Sequence, residues 1–395
     1  MKFSERMSRL GTETAFDVLA EVNGLKAQGK DIISFSIGEP DFDTPENIVN
    51  AAIAALKAGQ THYNPSAGLL ELRRVLAEYI SRTREIEVEP EEVVVTPGAK
   101  PIIFHTILSV VDPGDEVIYP NPGFPIYESM INYIGAKAVP MPLLENRGFS
   151  LDVDHFKEII NDRTKLIILN SPNNPTGGIV PQEDLEVIAE LAEKHDAWVL
   201  SDEVYSQMVY DRPFRSISSI PGMRDRTVII DGCSKTYAMT GWRIGFGVGN
   251  KEIVAGIARL VTNAESCTAT FTQYAAIEAY SGDQAASRAM IKEFNERRDI
   301  IVDGLNEIEG ITCMKPEGAF YVFPNVTGAC RRIGAKDSSQ FAHDLLHQAG
   351  VAVLGRTCFG GKNENEDQEY VRFSYASSKD DIREGLKRIK AFVEK

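Results

Sequence analysis

Five stretches of this chain are aliphatic or aromatic without interruption: Val93-Val94-Val95, Val117-Ile118-Tyr119, Leu166-Ile167-Ile168-Leu169, Ala197-Trp198-Val199-Leu200 and Val228-Ile229-Ile230. Runs that are apolar at every position, rather than at every second one, fit strands buried on both faces, as in a parallel sheet covered by helices. Segments of helical spacing alternate with them, among them Pro45 to Lys57 and Leu69 to Ile80. The expected fold is therefore α/β, with a mostly parallel central sheet and helices on both faces. Open sheets of this kind keep their chemistry at the carboxyl ends of the strands.

Lys235 follows the last of these runs, in Asp231-Gly232-Cys233-Ser234-Lys235-Thr236. A lysine there either stays solvated beside a turn or loses its proton in a desolvated pocket and bonds to a carbonyl carbon. Three other strand ends bear on that choice. Thr96-Pro97-Gly98-Ala99-Lys100 lies between a strand and a helix, where backbone N–H groups bind an anion such as phosphate. Ser201-Asp202-Glu203-Val204-Tyr205 offers a carboxylate that can keep a pyridinium nitrogen protonated, and a phenol. Asn170 to Gly177 holds Asn174 in a rigid turn, where its amide can donate to a phenolate oxygen. Each stretch alone also reads as a simple turn. Together they supply what one aromatic, phosphate-bearing aldehyde needs.

The βαβ rhythm breaks near residue 285, where a long charged helix begins. Short strands at 311–314, 318–323, 351–354 and 370–375 follow, then a helix from about 379. A large unit over 48–285 and a smaller α+β unit built from 1–47 and 286–395 are expected. Ile32 to Ile37 is expected to be a strand, and 13–29 an amphipathic helix through Phe16, Leu19, Val22 and Leu25. With 43% hydrophobic and 25% charged residues the chain is an ordinary globular one, and its net charge of −15 argues against nucleic acid or an anionic membrane as partner. No apolar run approaches the roughly 18 residues of a spanning helix, and Met1 to Arg6 lacks a leader pattern. A cytoplasmic location is expected. The five cysteines show no CxxC pair and read as reduced packing residues, while 362–369 reads as a solvated acidic loop. His343 and His347 have helical spacing but no third ligand, so no metal is expected.

The same stretches combine with Gly38-Glu39-Pro40-Asp41-Phe42, Tyr63-Asn64-Pro65, Asp112 to Val117, Gly241-Trp242-Arg243-Ile244-Gly245 and Val371-Arg372-Phe373-Ser374-Tyr375. In this set and order, which covers nearly the whole chain, the sequence resembles the class I aminotransferases of pyridoxal-phosphate fold type I. Within them it resembles the prokaryotic aspartate and aromatic aminotransferase-like branch. The resemblance implies ping-pong transfer of an amino group between an L-amino acid, with an aspartate, aromatic or alanine-like donor, and a 2-oxo acid such as 2-oxoglutarate. The implied cofactor is pyridoxal 5′-phosphate. Lys235 would bond to its aldehyde and shuttle a proton, Asp202 would pair with the ring nitrogen, and Tyr205 and Asn174 would hold the ring oxygen.

By the same resemblance, the phosphate would be held by the amides of Gly98, Ala99 and Lys100, by Ser234 and Arg243, and by Tyr63 of a second subunit, which implies a homodimer with shared sites. Phe124 would stack on the ring. Arg372 would grip the substrate's α-carboxylate, assisted by Asn174 and the amide of Gly38. Side-chain specificity is left among Lys100, Glu13 and Glu265, because 262–267 offers no arginine. A carbon–sulfur β-lyase on the same fold is the alternative.

Overall fold

The computed structural model describes residues 3–395. Met1 and Lys2, part of the opening on which the expected lack of a leader rests, lie outside the described residues. Nine strands fall in the first two thirds of the chain: β1 Ile33–Ser34, β2 Val93–Thr96, β3 Glu116–Asn121, β4 Lys137–Leu144, β5 Ser150–Leu151, β6 Thr164–Asn170, β7 Trp198–Asp202, β8 Thr227–Gly232 and β9 Gly245–Val248. Four short ones follow: β10 Tyr321–Val322, β11 Val351–Ala352, β12 Leu354–Gly355 and β13 Val371–Ser374. The main sheet has the order β2-β9-β8-β7-β6-β3-β4-β5. Strands β8, β7, β6, β3 and β4 are mutually parallel, β9 runs antiparallel between β2 and β8, and β5 is antiparallel at the far edge.

Alternation along each strand explains the layers. Val94, Leu166, Ile168, Leu200, Val228 and Ile230 face the helices Lys100–Val110, Ile126–Ile134 and Lys251–Ala264. Residues of opposite parity face the other layer. Val93, Val95 and Ile229 pack on Leu70–Arg84 and Thr270–Ser281, and Ile167, Leu169 and Val199 on Val153–Ile159 and Gln182–Lys194.

The helix Ala285–Asn306 and the closing helix Lys379–Val393 enclose a separate core with Phe320, Phe341, Phe373 and Tyr375, on the three-stranded sheet β10-β13-β12. β1 pairs in parallel with β11. Only Ile33 and Ser34 of the expected strand at 32–37 enter a ladder. The expected strand at 311–314 is a single bridge, Thr312 to Asn325. In the helix Ala15–Ala27, Val22 and Leu25 are buried but Phe16 is exposed, because its partners lie at the rim of a cavity rather than in the core.

The acidic segment is not simply solvated. Glu366 forms a two-oxygen pair with the buried Arg356 (2.6 and 2.9 Å), which also donates to Asn121 at the end of β3, while Glu369 caps the helix Ser338–Ala349 at the Ser338 amide. These partners lie outside the segment, from ten residues away for Arg356 to 31 for Ser338, so its own composition could not reveal them.

Two close contacts fix the strand ends. Arg84 is buried and bonds Glu203, just after β7, at 2.7 Å, Asp231 within β8 at 2.8 Å and Ser206 at 2.7 Å. Gly245 in β9 lies so near the β2 loop that an added Cβ would sit 2.5 Å from the Ala99 nitrogen. Gly245→Ala is therefore expected to lower the unfolding free energy by about 1–3 kcal/mol, since backbone cannot yield as a side chain would. Gly24→Ala, at an exposed position of the helix Ala15–Ala27 with open space around it, should raise it by about 0.5–1 kcal/mol. Urea unfolding of both variants beside the parent checks the pair.

Candidate active site

The ends of β2, β6, β7 and β8 open into one cavity of about 460 Å³, closed on the other side by Gly38, Tyr321, Phe359 and Arg372 and at its rim by Glu13 and Phe16. From β8 the short helix Cys233–Thr236 turns Lys235 into the cavity, where its ammonium donates to the Gly38 carbonyl at 2.6 Å. Burial first, and then the charge of Arg372, lower its pKa to about 8, with Glu39 and Glu13 acting the other way. Gly38 lies close against Tyr321 because it lacks a side chain: a Cβ there would lie 2.1 Å from the Tyr321 hydroxyl.

Asp202 ends β7 and accepts a 2.6 Å hydrogen bond from the Tyr127 hydroxyl. Burial raises its carboxyl to about 6, against the opposing pull of that hydrogen bond. It is thus mostly ionised at neutral pH. Tyr205 shares a 2.7 Å hydrogen bond with Tyr321, and burial pushes its phenol well above the ordinary range.

Arg372 reaches in from β13. One nitrogen donates to Asn174 Oδ1 at 2.9 Å and another to the Ser36 carbonyl, while the guanidinium carbon lies 4.7 and 4.9 Å from the ring centres of Tyr321 and Phe359. Burial lowers its pKa, and its Nε has no partner. A buried guanidinium with an unmet donor is a receptor for a planar anion.

A second anion cradle lies at the start of the helix Lys100–Val110. Gly98 has φ +92°, a conformation that favours glycine, and a Cβ there would lie 2.3 Å from a terminal nitrogen of Arg243, so a side chain would displace the guanidinium from its present place. Ala99, Lys100, Ser234 and Arg243 all line the cavity, as does Phe124.

The Lys100 side chain is paired with Glu13 and lies 5.9 and 5.2 Å from the ring centres of Phe16 and Phe124. Glu265 does not line the cavity; it bonds His105 at 3.1 Å. Tyr63 is 90% exposed and lies outside the lining.

Thus Gly38, Ala99, Lys100, Phe124, Asn174, Asp202, Tyr205, Ser234, Lys235, Arg243 and Arg372 surround one space. Tyr127, Tyr321 and Phe359 join them without having been singled out, since each is an ordinary aromatic of a helix, a strand or a turn until the fold supplies its partner. Cys358, expected to be a packing residue, also lines the cavity. Among the described residues no cluster could hold a metal ion, and no helix is long and apolar enough to cross a membrane.

The profile of the family described as aminotransferase class I and II matches residues 30–389. The chain is similar to an aspartate aminotransferase of Bacillus subtilis (strain 168), 38% identical over 397 residues with 100% of both chains covered. It is equally similar to an asparagine–oxo-acid transaminase of Streptococcus mutans, 38% identical with 100% of both covered. The crystal structure of the aspartate aminotransferase from Rhizobium meliloti matches with a TM-score of 0.93 at 34% identity, over 100% of this chain and 99% of that one. With its central sheet, its strand-end cavity and its full-length likeness to named transaminases, this chain belongs to the class I and II aminotransferases and is a fold type I transaminase.

Proposed function

We propose that the chain transfers an amino group between an L-amino acid and a 2-oxo acid, 2-oxoglutarate among them, by a ping-pong reaction on pyridoxal 5′-phosphate. The observation that carries this reading is that Lys235, Asp202 and Arg372, brought by three different strands, line one cavity. The relatives differ in their named donors, so aspartate, aromatic and alanine-like donors all stand. Their names are transaminase names, which favours transfer over the carbon–sulfur lyase alternative.

The residues fit the cofactor on their own chemistry: a buried carboxylate, a lysine of lowered pKa and a glycine-floored cradle beside an arginine. When bound, pyridoxal phosphate supplies an electron sink for the carbanion left at the amino acid's Cα. Lys235 would hold its aldehyde and, once released, take the Cα proton and return it at C4′. Asp202 would keep a proton on the ring nitrogen. With Asn174 Oδ1 turned to Arg372, its amide N–H is left to donate, with the Tyr205 hydroxyl, to the ring oxygen.

The amides of Gly98, Ala99 and Lys100, with Ser234 and Arg243, would hold the phosphate, and Phe124 would cover the ring. Arg372, Asn174 and the Gly38 amide would fix the α-carboxylate. The exposed Tyr63 suits a contact with the phosphate of a second subunit, in a cytoplasmic homodimer. On this reading residues 48–285 form the cofactor-binding unit, and 1–47 with 286–395 the smaller unit that brings Gly38 and Arg372.

Lys235→Met is expected to keep the cofactor through its phosphate contacts yet lose turnover. Its stability effect has a definite sign. The lysine binds its proton less tightly when folded, near 8 against an ordinary 10.5, so its burial costs stability increasingly as pH falls from 10.5 through 8. The variant's gain in Tm, measured without cofactor, should be largest below pH 8 and shrink toward pH 10.

Asp202→Ala should slow Cα proton removal on the order of a thousandfold with little change in substrate binding. Arg372→Ala should instead weaken every amino and oxo acid roughly tenfold to hundredfold, since all share the α-carboxylate. Half-reaction titrations separate the two patterns, and identical defects would count against both roles. Lys100→Met, if its ammonium meets the substrate's distal group, should raise the KM of aspartate and glutamate relative to alanine by roughly tenfold to hundredfold. A shift equal for all donors would confine Lys100 to its backbone role.

A further inference from the structure

Four cationic and three acidic side chains line the cavity: Lys100, Lys235, Arg243 and Arg372, and Glu13, Glu39 and Asp202. On the reading above, Lys235, Arg243, Arg372 and Asp202 are engaged by cofactor and α-carboxylate. Glu39 takes the Thr240 hydroxyl. Lys100 and Glu13 remain, and they are bonded to each other. Lys100 opens the helix Lys100–Val110, and Glu13 comes from the segment just before the helix Ala15–Ala27. Phe16 and Phe124 flank the ammonium. The Glu13 side chain is largely covered, 14% exposed, and the Lys100 side chain 41% exposed, and both charges act on Lys235, in opposite directions, so the pair stands at the cavity rim within electrostatic reach of that lysine.

We propose that Glu13 is a specificity residue, forming with Lys100 a neutral donor–acceptor pair that takes a side-chain carboxamide in preference to a free carboxylate. This rests on the transamination reading and on Arg372 as the grip for the α-carboxylate. A carboxamide carries both an acceptor and donors: its oxygen accepts from Lys100 Nζ while its NH₂ donates to a Glu13 oxygen, and the site stays neutral. A distal carboxylate has no proton for Glu13 and sets two like charges against each other around one ammonium, so it binds only by displacing Glu13. An apolar side chain leaves the pair closed. The substrate class is thus an L-amino acid with a terminal amide. The α-amino group passes to the 2-oxo acid, the product is the 2-oxo acid amide, and the side-chain nitrogen is not released as ammonia.

The test measures kcat/KM of the holoenzyme for asparagine, aspartate and alanine in the parent, in Glu13→Gln and in Lys100→Met, each ratioed to alanine within the same protein. Binding of succinamate and succinate, which lack the amino group, reads the same preference without turnover. In the parent, asparagine should exceed aspartate, and succinamate succinate, by about tenfold. Glu13→Gln should lower the asparagine ratio and raise the aspartate ratio, each by about tenfold. Lys100→Met should lower both.

Preference for aspartate in the parent, or a Glu13→Gln effect that moves both ratios together, overturns the carboxamide proposal, while a lowered aspartate ratio in Lys100→Met still upholds Lys100 as the distal contact. Ratios untouched by Lys100→Met overturn that contact and the proposal with it. Absence of turnover with every donor in the parent would strike the transamination reading itself, and the succinamate and succinate constants would then decide the pair's preference alone.

Discussion

The arrangement depends on one buried guanidinium. Arg84 meets Glu203 and Asp231, which lie at the carboxyl ends of neighbouring strands, and it also donates to Ser206 and Thr83. Taking three charges out of water costs several kcal/mol per ion, and short charge-assisted bonds must offset it. That requirement makes the hub rigid: if β7 and β8 slid past one another, one carboxylate would be left unpaired in the interior. Asp202 stands next to Glu203, and Lys235 four residues beyond Asp231. The spacing of Asp202 and Lys235 therefore follows from the hub behind them.

In front of the hub, burial in the cavity weakens the hold of these groups on their ordinary charge states. Lys235 is lowered and Asp202 raised, each chiefly by burial, and Arg372 lies buried between two rings with an unmet donor. Each is a local cost of burial. Perturbed groups of this kind gather where chemistry is done. The stable packing of the central sheet carries that cost, since its strands are covered on both faces.

The central sheet and its strand-end residues were legible because burial on both faces demands aliphatic runs, and because the turns beyond them need glycine, proline and asparagine. Asp202, Lys235 and the Gly98 loop were found on that basis, and Arg372 through the family resemblance. Short strands were less legible. β10 to β13 have two to four residues each, too few to show a period, so the expected strand at 311–314 reduced to one bridge. Partnerships across the chain were not legible at all. Glu366 looked solvated until Arg356 met it, Glu13 and Glu265 looked equivalent until one turned to Lys100 and the other to His105, and nothing local marked Tyr127 as the partner of Asp202.

The parallel pairing of β1 with β11 bears on how the protein is made. Ile33 and Ser34 leave the ribosome early, and their neighbours Ser36 and Gly38 later offer carbonyls to Arg372 and Lys235. Their ladder partners, Val351 and Ala352, lie near the other end of the chain. At about 5–20 residues per second the first strand waits on the order of tens of seconds for its mate. The central sheet can form meanwhile from consecutive segments. The nascent chain therefore carries a nearly finished scaffold with an open wall, and the cavity closes only after synthesis has passed Arg372.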